Sequence, residues 1–417
     1  MKVSNTDREV LRALAGDLAE IAALDIHAEK AAMWARVNKL QNERPMVWMN
    51  EIPWHEMNVD DELTLKCEDP FRRELEDDMR KTIYQWRHMP GDMIVSNYIS
   101  CPLVIEDTGF GLDEDVEVAI TDPESDVVSR KFHRQIIEPE DIEKIANTAI
   151  THDEDATEQR YEMMCDAMGD IMPIRKEGIK GMWFSPWDEL IRWWGVQEAM
   201  MDLVLRPQMV NDIVSRLVDV YIDRLDQWEE LNLLTPNNDN TRVGSGAYGY
   251  TDELPGESFD PQHVTASNLW GCATAQIFSQ VSPQMHWEFA LRHEMRYLER
   301  WGLTYYGCCE PLDIKMDILR RIPNLRKISM SPWVNPERSA GLVGEDYVYS
   351  FKPNPAVLAE DRWRPDQARQ DIVRFLEPAR ACRVEIIMKD VSTVRRQPQR
   401  LWEWEKIVME VVEDYAG

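Results

Sequence analysis

Along residues 5–41, Leu11, Leu14, Leu18, Ile21 and Leu24 recur at helical spacing and predict one or two amphipathic helices. The run RPMVWMN (44–50) is different. It is short, continuously apolar and preceded by a proline, which suits a buried strand. Residues 51–135 are acidic and broken by prolines, with CPLVIEDTGFG as a strand and turn, and residues 136–168 read as a helical pair. Ser185-Pro186-Trp187-Asp188 is a helix start signal, and a long amphipathic helix runs from about Arg206 to Glu230.

Beyond that helix the pattern becomes regular. The segment RVGSGAYGY (242–250) reads as a glycine-rich loop, and a helix follows at 282–301. Short apolar strands at 303–309, 325–331, 347–353 and 383–390 then alternate with helices at 311–322, 364–380 and 398–416. Continuous apolar strands alternating with helices predict a parallel sheet covered by helices. With the strand at 44–50, four late strand–helix units point to an α/β fold, a (β/α)8 TIM-type barrel. Residues 1–43 form its N-terminal helical extension. Residues 44–417 form the barrel, with an acidic insertion at about 55–180. An open doubly wound sheet is the alternative, but no GxGxxG follows an early strand.

Charge and composition narrow the function. Lys and Arg number 47 against 76 Asp and Glu, a net charge of −29. Such a surface repels phosphate backbones and anionic lipids, so nucleic acid and membranes are not expected partners. No apolar run is long enough to span a bilayer, and the N-terminus lacks signal-peptide character. Seven cysteines show no disulfide framework, and a cytoplasmic setting is expected. The 16 tryptophans and 22 methionines exceed ordinary usage and suit both a core and a pocket for a flat organic ligand.

In a barrel of this kind the chemistry sits at the carboxyl ends of the strands. That rule selects Asn50 and Glu51, Cys308 to Glu310, Ser331 and Trp333, Lys352 and Asn354, and Lys389 with Asp390. Cys308, Cys309 and Glu310 place soft and hard donors together, and zinc takes both. Asp390 is the best-placed additional ligand, at the end of a last strand that lies beside the first in a closed barrel. A buried, inert cysteine pair is the competing reading. A nucleophilic cysteine ranks lower, because no histidine lies on these strand ends. Glu51 is a candidate general base or anchor, His55 a ligand or acid, and Trp54 a stacking surface. Lys389 either pairs with Asp390 or binds a substrate anion. Tyr248 and Tyr250 suit a mobile lid, whereas His263, His286 and His293 read as structural.

Four stretches, in order, resemble the uroporphyrinogen decarboxylase superfamily. RPMVWMNEI is similar to that family's first strand, and LVLRPQMVNDIVSRLVDVYIDRL to its long central helix. QVSPQMHWEFALRHEMRYLERWG is similar to its SP-x-x-F-x-E-F helix, and VEIIMKDVSTV stands where its last strand ends. The resemblance implies a (β/α)8 barrel. The decarboxylase branch carries arginines after its first strand. Asn50, Glu51 and a proline stand there instead, and Glu51 would repel a poly-anionic tetrapyrrole. The cobalamin-dependent methyltransferase branch binds zinc through His-x-Cys and a cysteine on the last strand. Tyr306-Gly307-Cys308 keeps only the cysteine of the first motif, Asp390 stands near the second, and Cys309 or Glu310 would replace the histidine.

That branch implies methyl transfer between a small methylated molecule and a corrinoid (cobalamin) held by a partner protein. Zinc would activate the heteroatom that carries the methyl group. Cys308, Cys309 and Asp390 are its expected ligands, with Glu51, Glu310 and Lys389 as catalytic residues. Asn50, Trp54, His55, Tyr248, Tyr306 and Trp333 are the expected substrate contacts, suited to a methoxylated aromatic. A metal-free decarboxylase or lyase of a small organic acid is the alternative. A homodimer remains an open assembly state.

Overall fold

The computed structural model describes residues 5–120, 128–257 and 259–416. Six strands make one sheet: β1 (Met46–Met49), β2 (Trp270–Ala273), β3 (Leu303–Tyr306), β4 (Leu325–Met330), β5 (Val348–Phe351) and β6 (Arg383–Met388). Their order is β1-β6-β5-β4-β3-β2, and every pairing is parallel. The last strand therefore lies beside the first, with Met46 opposite Glu385 and Met49 opposite Met388.

Side chains alternate between the two faces of each strand. One face meets the helices. Val47, Met49, Ile328, Met330, Tyr349, Phe351, Val384, Ile386 and Met388 join the main apolar core there, with Leu217, Leu298 and Leu401 from the surrounding helices. The other face is also buried but polar: Lys327, Ser329, Ser350, Lys352, Glu385 and Lys389. Burial on both faces explains why these strands read as near-continuous apolar runs.

Among the described residues the ring of strands does not close between β1 and β2, and polar side chains cover the two free edges. Asn237 donates from Nδ2 to the Trp270 carbonyl at 3.0 Å and accepts the Trp270 N–H at 2.9 Å. Asp92 does the same for β1. Its N–H donates to the Val47 carbonyl and its carboxylate accepts the Val47 N–H, both at 2.8 Å. Each residue supplies the pairing a neighbouring strand would have supplied, which covers the edge there.

The glycine-rich segment read as a lid is a hairpin packed on the polar face. Val243 donates to the Ala247 carbonyl at 2.9 Å, and Gly246 to the Val243 carbonyl at 3.0 Å. A Cβ on Gly244 would lie 2.5 Å from the Tyr305 ring, and one on Gly246 would lie 2.5 Å from Glu385 Oε1. Glycine is needed here because backbone approaches side chain closely. Tyr248 is buried against Trp34 and Trp48, in a cluster with Met46, Val348 and Ile387.

Residues from the N-terminus and the insertion share a second core. Leu11, Leu14 and Leu18 of helix Asn5–Ala22 pack with Leu75, Met79 and Ile83 of helix Pro70–His88 and with Met164 and Met168 of helix Glu154–Met168. Asp69 caps the middle helix by accepting the Arg72 N–H, and Pro70 opens it. No helix among the described residues is long and apolar enough to cross a membrane.

Candidate active site at the strand ends

Three strand ends converge. Asn50 donates its backbone N–H to the Met388 carbonyl at 2.8 Å, which carries the β1–β6 pairing one residue further. Glu51 and Asp390 then take positive φ (50° and 55°), so both strands turn outward at once. On β3 it is Gly307, at φ 101°, that turns the chain. A Cβ there would lie 2.4 Å from the Leu312 side chain, so glycine is required on both counts. The turn ends the strand alternation, and Cys308 and Cys309 bring their sulfurs to 3.5 Å of each other.

Lys389 occupies the middle of the group. Its Nζ lies 2.6 Å from Asp390 Oδ2, 3.3 Å from Glu51 Oε2 and 3.7 Å from Cys308 Sγ. Cys309 Sγ is 3.5 Å from the same Asp390 oxygen. Arg242, from the hairpin, donates to Glu51 Oε1 at 2.8 Å. The Asp390 N–H points at Glu51 Oε2, 3.3 Å away. Lys389 is nearly sealed, with 4% of its side chain exposed, against 36% for Glu51 and 51% for Asp390. Cys308 is buried and Cys309 exposed.

The electrostatics follow from this arrangement. Burial disfavours the Lys389 ammonium, but the surrounding Cys308, Glu51, Cys309 and Asp390 outweigh it and raise its pKa. Burial likewise disfavours the Glu51 carboxylate. Its hydrogen bond with Asp390 and the charges of Lys389 and Arg242 nevertheless bring it down to about 2. The Cys308 thiol is lowered, first by the hydrogen bond from Cys309 and, against burial, by the charge of Lys389. Cys309 is raised by the same hydrogen bond, by burial and by the Cys308 charge. Of the two thiols, Cys308 is therefore the one held toward thiolate.

Among the described residues no group of three or more His, Cys, Asp and Glu side chains is arranged to hold a metal ion. The physical reason is visible. An ammonium already stands among the sulfur and carboxylate donors, hydrogen-bonded to Asp390 Oδ2 and 3.7 Å from Cys308 Sγ. A divalent ion placed beside it would meet like-charge repulsion.

The other expected contacts are scattered. The Glu310 carboxylate is buried and clamps the turn, accepting the Cys308 N–H at 2.8 Å and the Thr274 hydroxyl at 3.0 Å. Asn50 Nδ2 is buried and has no hydrogen-bond partner. Trp333 is 70% exposed, outside the Lys389 group. His55 lies 3.9 Å from Glu56. Trp54 and Tyr248 meet Trp48, Met79 and Met93 in a separate cleft of about 480 Å3, which none of the residues around Lys389 lines.

Tyr306 faces the helices rather than the strand-end group. His286 Nε2 is 2.7 Å from its hydroxyl, which donates to Glu294 Oε2 at 3.0 Å. Lys315 Nζ lies 3.0 Å from His286 Nδ1 and donates to the Phe278 carbonyl at 2.5 Å. Burial raises Glu294 to about 8, lowers Lys315 to about 8 and drives His286 well below its usual value. His286 is thus a neutral relay between a lysine and a tyrosine.

One participant and one pairing escaped sequence reading. Arg242 lies in a segment with no periodic signal and reaches Glu51 only because the hairpin folds inward. Strand-end position selects Lys389, but not its pairing with Cys308, because histidine is the base expected beside a reactive cysteine.

No protein-family model matches the chain, and no curated protein does. Among solved structures, a methyltransferase from Methanosarcina mazei is similar over 93% of this chain and 99% of that chain, at 10% sequence identity and a TM-score of 0.52. At that identity the likeness is one of fold: a mixed α/β architecture built on a parallel central sheet.

Proposed function

We propose that the protein is a methyltransferase acting on a small methylated molecule at its strand ends, with the Lys389 ammonium in the role expected of zinc. The observation that carries this reading is the position of Lys389 Nζ among Asp390, Glu51 and Cys308. When a methyl group leaves a heteroatom for a nucleophile, the bonding pair collapses onto that heteroatom. A fixed ammonium stabilises the developing charge without reorganising. Asp390 and Glu51 keep Lys389 protonated and aimed, and Arg242 holds Glu51 in place. The buried Asn50 Nδ2 is an uncommitted donor that a polar substrate group would satisfy. A reduced corrinoid on a partner protein would supply the nucleophile that accepts the methyl group. The fold shared with a chain described as a methyltransferase agrees with this reading.

The test is direct. The protein is incubated with reduced cobalamin and a panel of methoxylated aromatics and small methylated amines and thiols, and methylcobalamin is followed by absorbance. Turnover that persists in excess chelator and falls about 100-fold or more in Lys389→Gln supports the proposal. Turnover that requires added zinc, or that survives in Lys389→Gln, contradicts it.

One observation favours a second reading, a metal-free decarboxylase or lyase of a small acid. Arg242 offsets the Glu51 charge that would repel an anion, and Lys389 adds a cation. Carbon dioxide release from a small carboxylate, without any methyl acceptor, would establish it instead.

A further inference from the structure

We propose that Cys308 and Cys309 form a redox modification site, in which a hydroperoxide converts the two thiols into a disulfide between neighbouring residues. The sulfurs are already 3.5 Å apart and must close to about 2.05 Å. The turn at Gly307 places both on the same side of the chain, and the backbone between them is anchored. Cys308 N–H donates to Glu310, and its carbonyl accepts the Ser329 hydroxyl at 2.6 Å. Lys389, at 3.7 Å, stabilises negative charge on Cys308, while Cys309 is exposed at the rim. Cys67, Cys101, Cys272 and Cys382 are buried elsewhere. The pair thus sets a thiol beside an ammonium and next to an exposed thiol able to resolve it.

The chemistry balances. The Cys308 thiolate attacks the terminal oxygen of the peroxide, the O–O bond breaks, and a sulfenic acid forms as hydroxide leaves and takes up a proton. Cys309 loses its proton and attacks the Cys308 sulfur. The S–O bond breaks and water departs. Two thiols and one hydrogen peroxide give one disulfide and two waters. Closure removes the Cys308 charge from beside Lys389, so the modification would also change the charge balance around the ammonium in the activity proposed above. Only that last consequence rests on the functional reading.

The test reads mass rather than turnover, so it stands whether or not methyl transfer is found. The full-length protein is treated with stoichiometric hydrogen peroxide, alkylated with N-ethylmaleimide and digested. The expected product is a peptide spanning 308–309 that is lighter by two hydrogens, carries no maleimide, and is restored by dithiothreitol. Cys309→Ser should stop at a dimedone-trappable sulfenic acid on Cys308, and Lys389→Gln should slow oxidation about tenfold. Full alkylation of both cysteines after peroxide, or addition of oxygens without loss of hydrogens, would overturn the proposal.

Discussion

Two lysine–carboxylate groups lie on the same polar face of the sheet. Deep inside, Lys327 donates to Glu385 Oε2 at 2.9 Å, and Ser350 donates to Glu385 Oε1 at 2.5 Å. Lys352 spends its protons on Tyr305, on Ser350 Oγ and on the Ser350 carbonyl. Lys327 and Glu385 are fully buried, and every charged atom of the group has a protein partner. At the strand ends, Lys389 is equally sealed, but its partners Glu51 and Asp390 reach solvent and two thiols stand beside them. Both groups hold strongly perturbed charges. Burial brings Lys352 down to about 7, against the charge of Glu385. What separates a structural cluster from a chemical one here is the presence of uncommitted, accessible atoms, not the size of the shift.

That contrast can be broken by mutation. Glu385→Ala should cost the most, about 3–5 kcal/mol of unfolding free energy in urea, because it strands Lys327 as a buried unpaired charge. A loss below about 1 kcal/mol would mean that water reaches the interior group. Gly246→Ala presses a methyl group toward Glu385 and Tyr305 and should cost roughly 1–3 kcal/mol in the same measurement. Tyr306→Phe leaves both His286 and Glu294 short of a partner and should cost about 1–3 kcal/mol. Because Tyr306 faces away from Lys389, the alkylation rate of Cys308 should not change in that variant.

At the strand ends the expected balance is reversed, with small effects on stability and large ones on chemistry. Lys389→Gln should leave stability within about 1 kcal/mol. It should move the pH profile of Cys308 alkylation upward, since a nearby positive charge that favours the thiolate is lost. Cys309→Ala should move it the same way. The smallest effect belongs to Glu51. Its folded pKa is depressed from the usual 4.5 to about 2, so the stability it contributes is complete above 4.5 and is lost as pH falls through about 2. Glu51→Gln should flatten the stability profile in that window alone.

Much of the sheet was legible because its strands are short runs buried on both faces and rich in apolar residues. The strands at 44–50, 303–309, 325–331, 347–353 and 383–390 were each readable, and the neighbourhood of β1 and β6 followed from them. The strand at Trp270–Ala273 was not, since four residues containing a glycine carry too little pattern. Helix 311–322 was overread: only Met316–Leu319 is helical, because the chain first turns through Cys308–Asp313 to build the clamp around Glu310. The hairpin at 242–250 could not be foreseen. Its glycines signal a loop, but what they permit is close approach to Tyr305 and Glu385, a contact between distant parts of the chain. Strand-end placement correctly brought Glu51, Cys308, Cys309, Lys389 and Asp390 into one neighbourhood. It could not show that the lysine stands at the centre.

Cobalt(II) titration of the reduced protein tests whether Lys389 is the resident cation of this site. The wild-type protein should show no thiolate-to-cobalt charge-transfer band, whereas Lys389→Ala, which frees Cys308, Cys309 and Asp390, should acquire one. A strong band in the wild-type protein that disappears in Cys308→Ser would contradict the account.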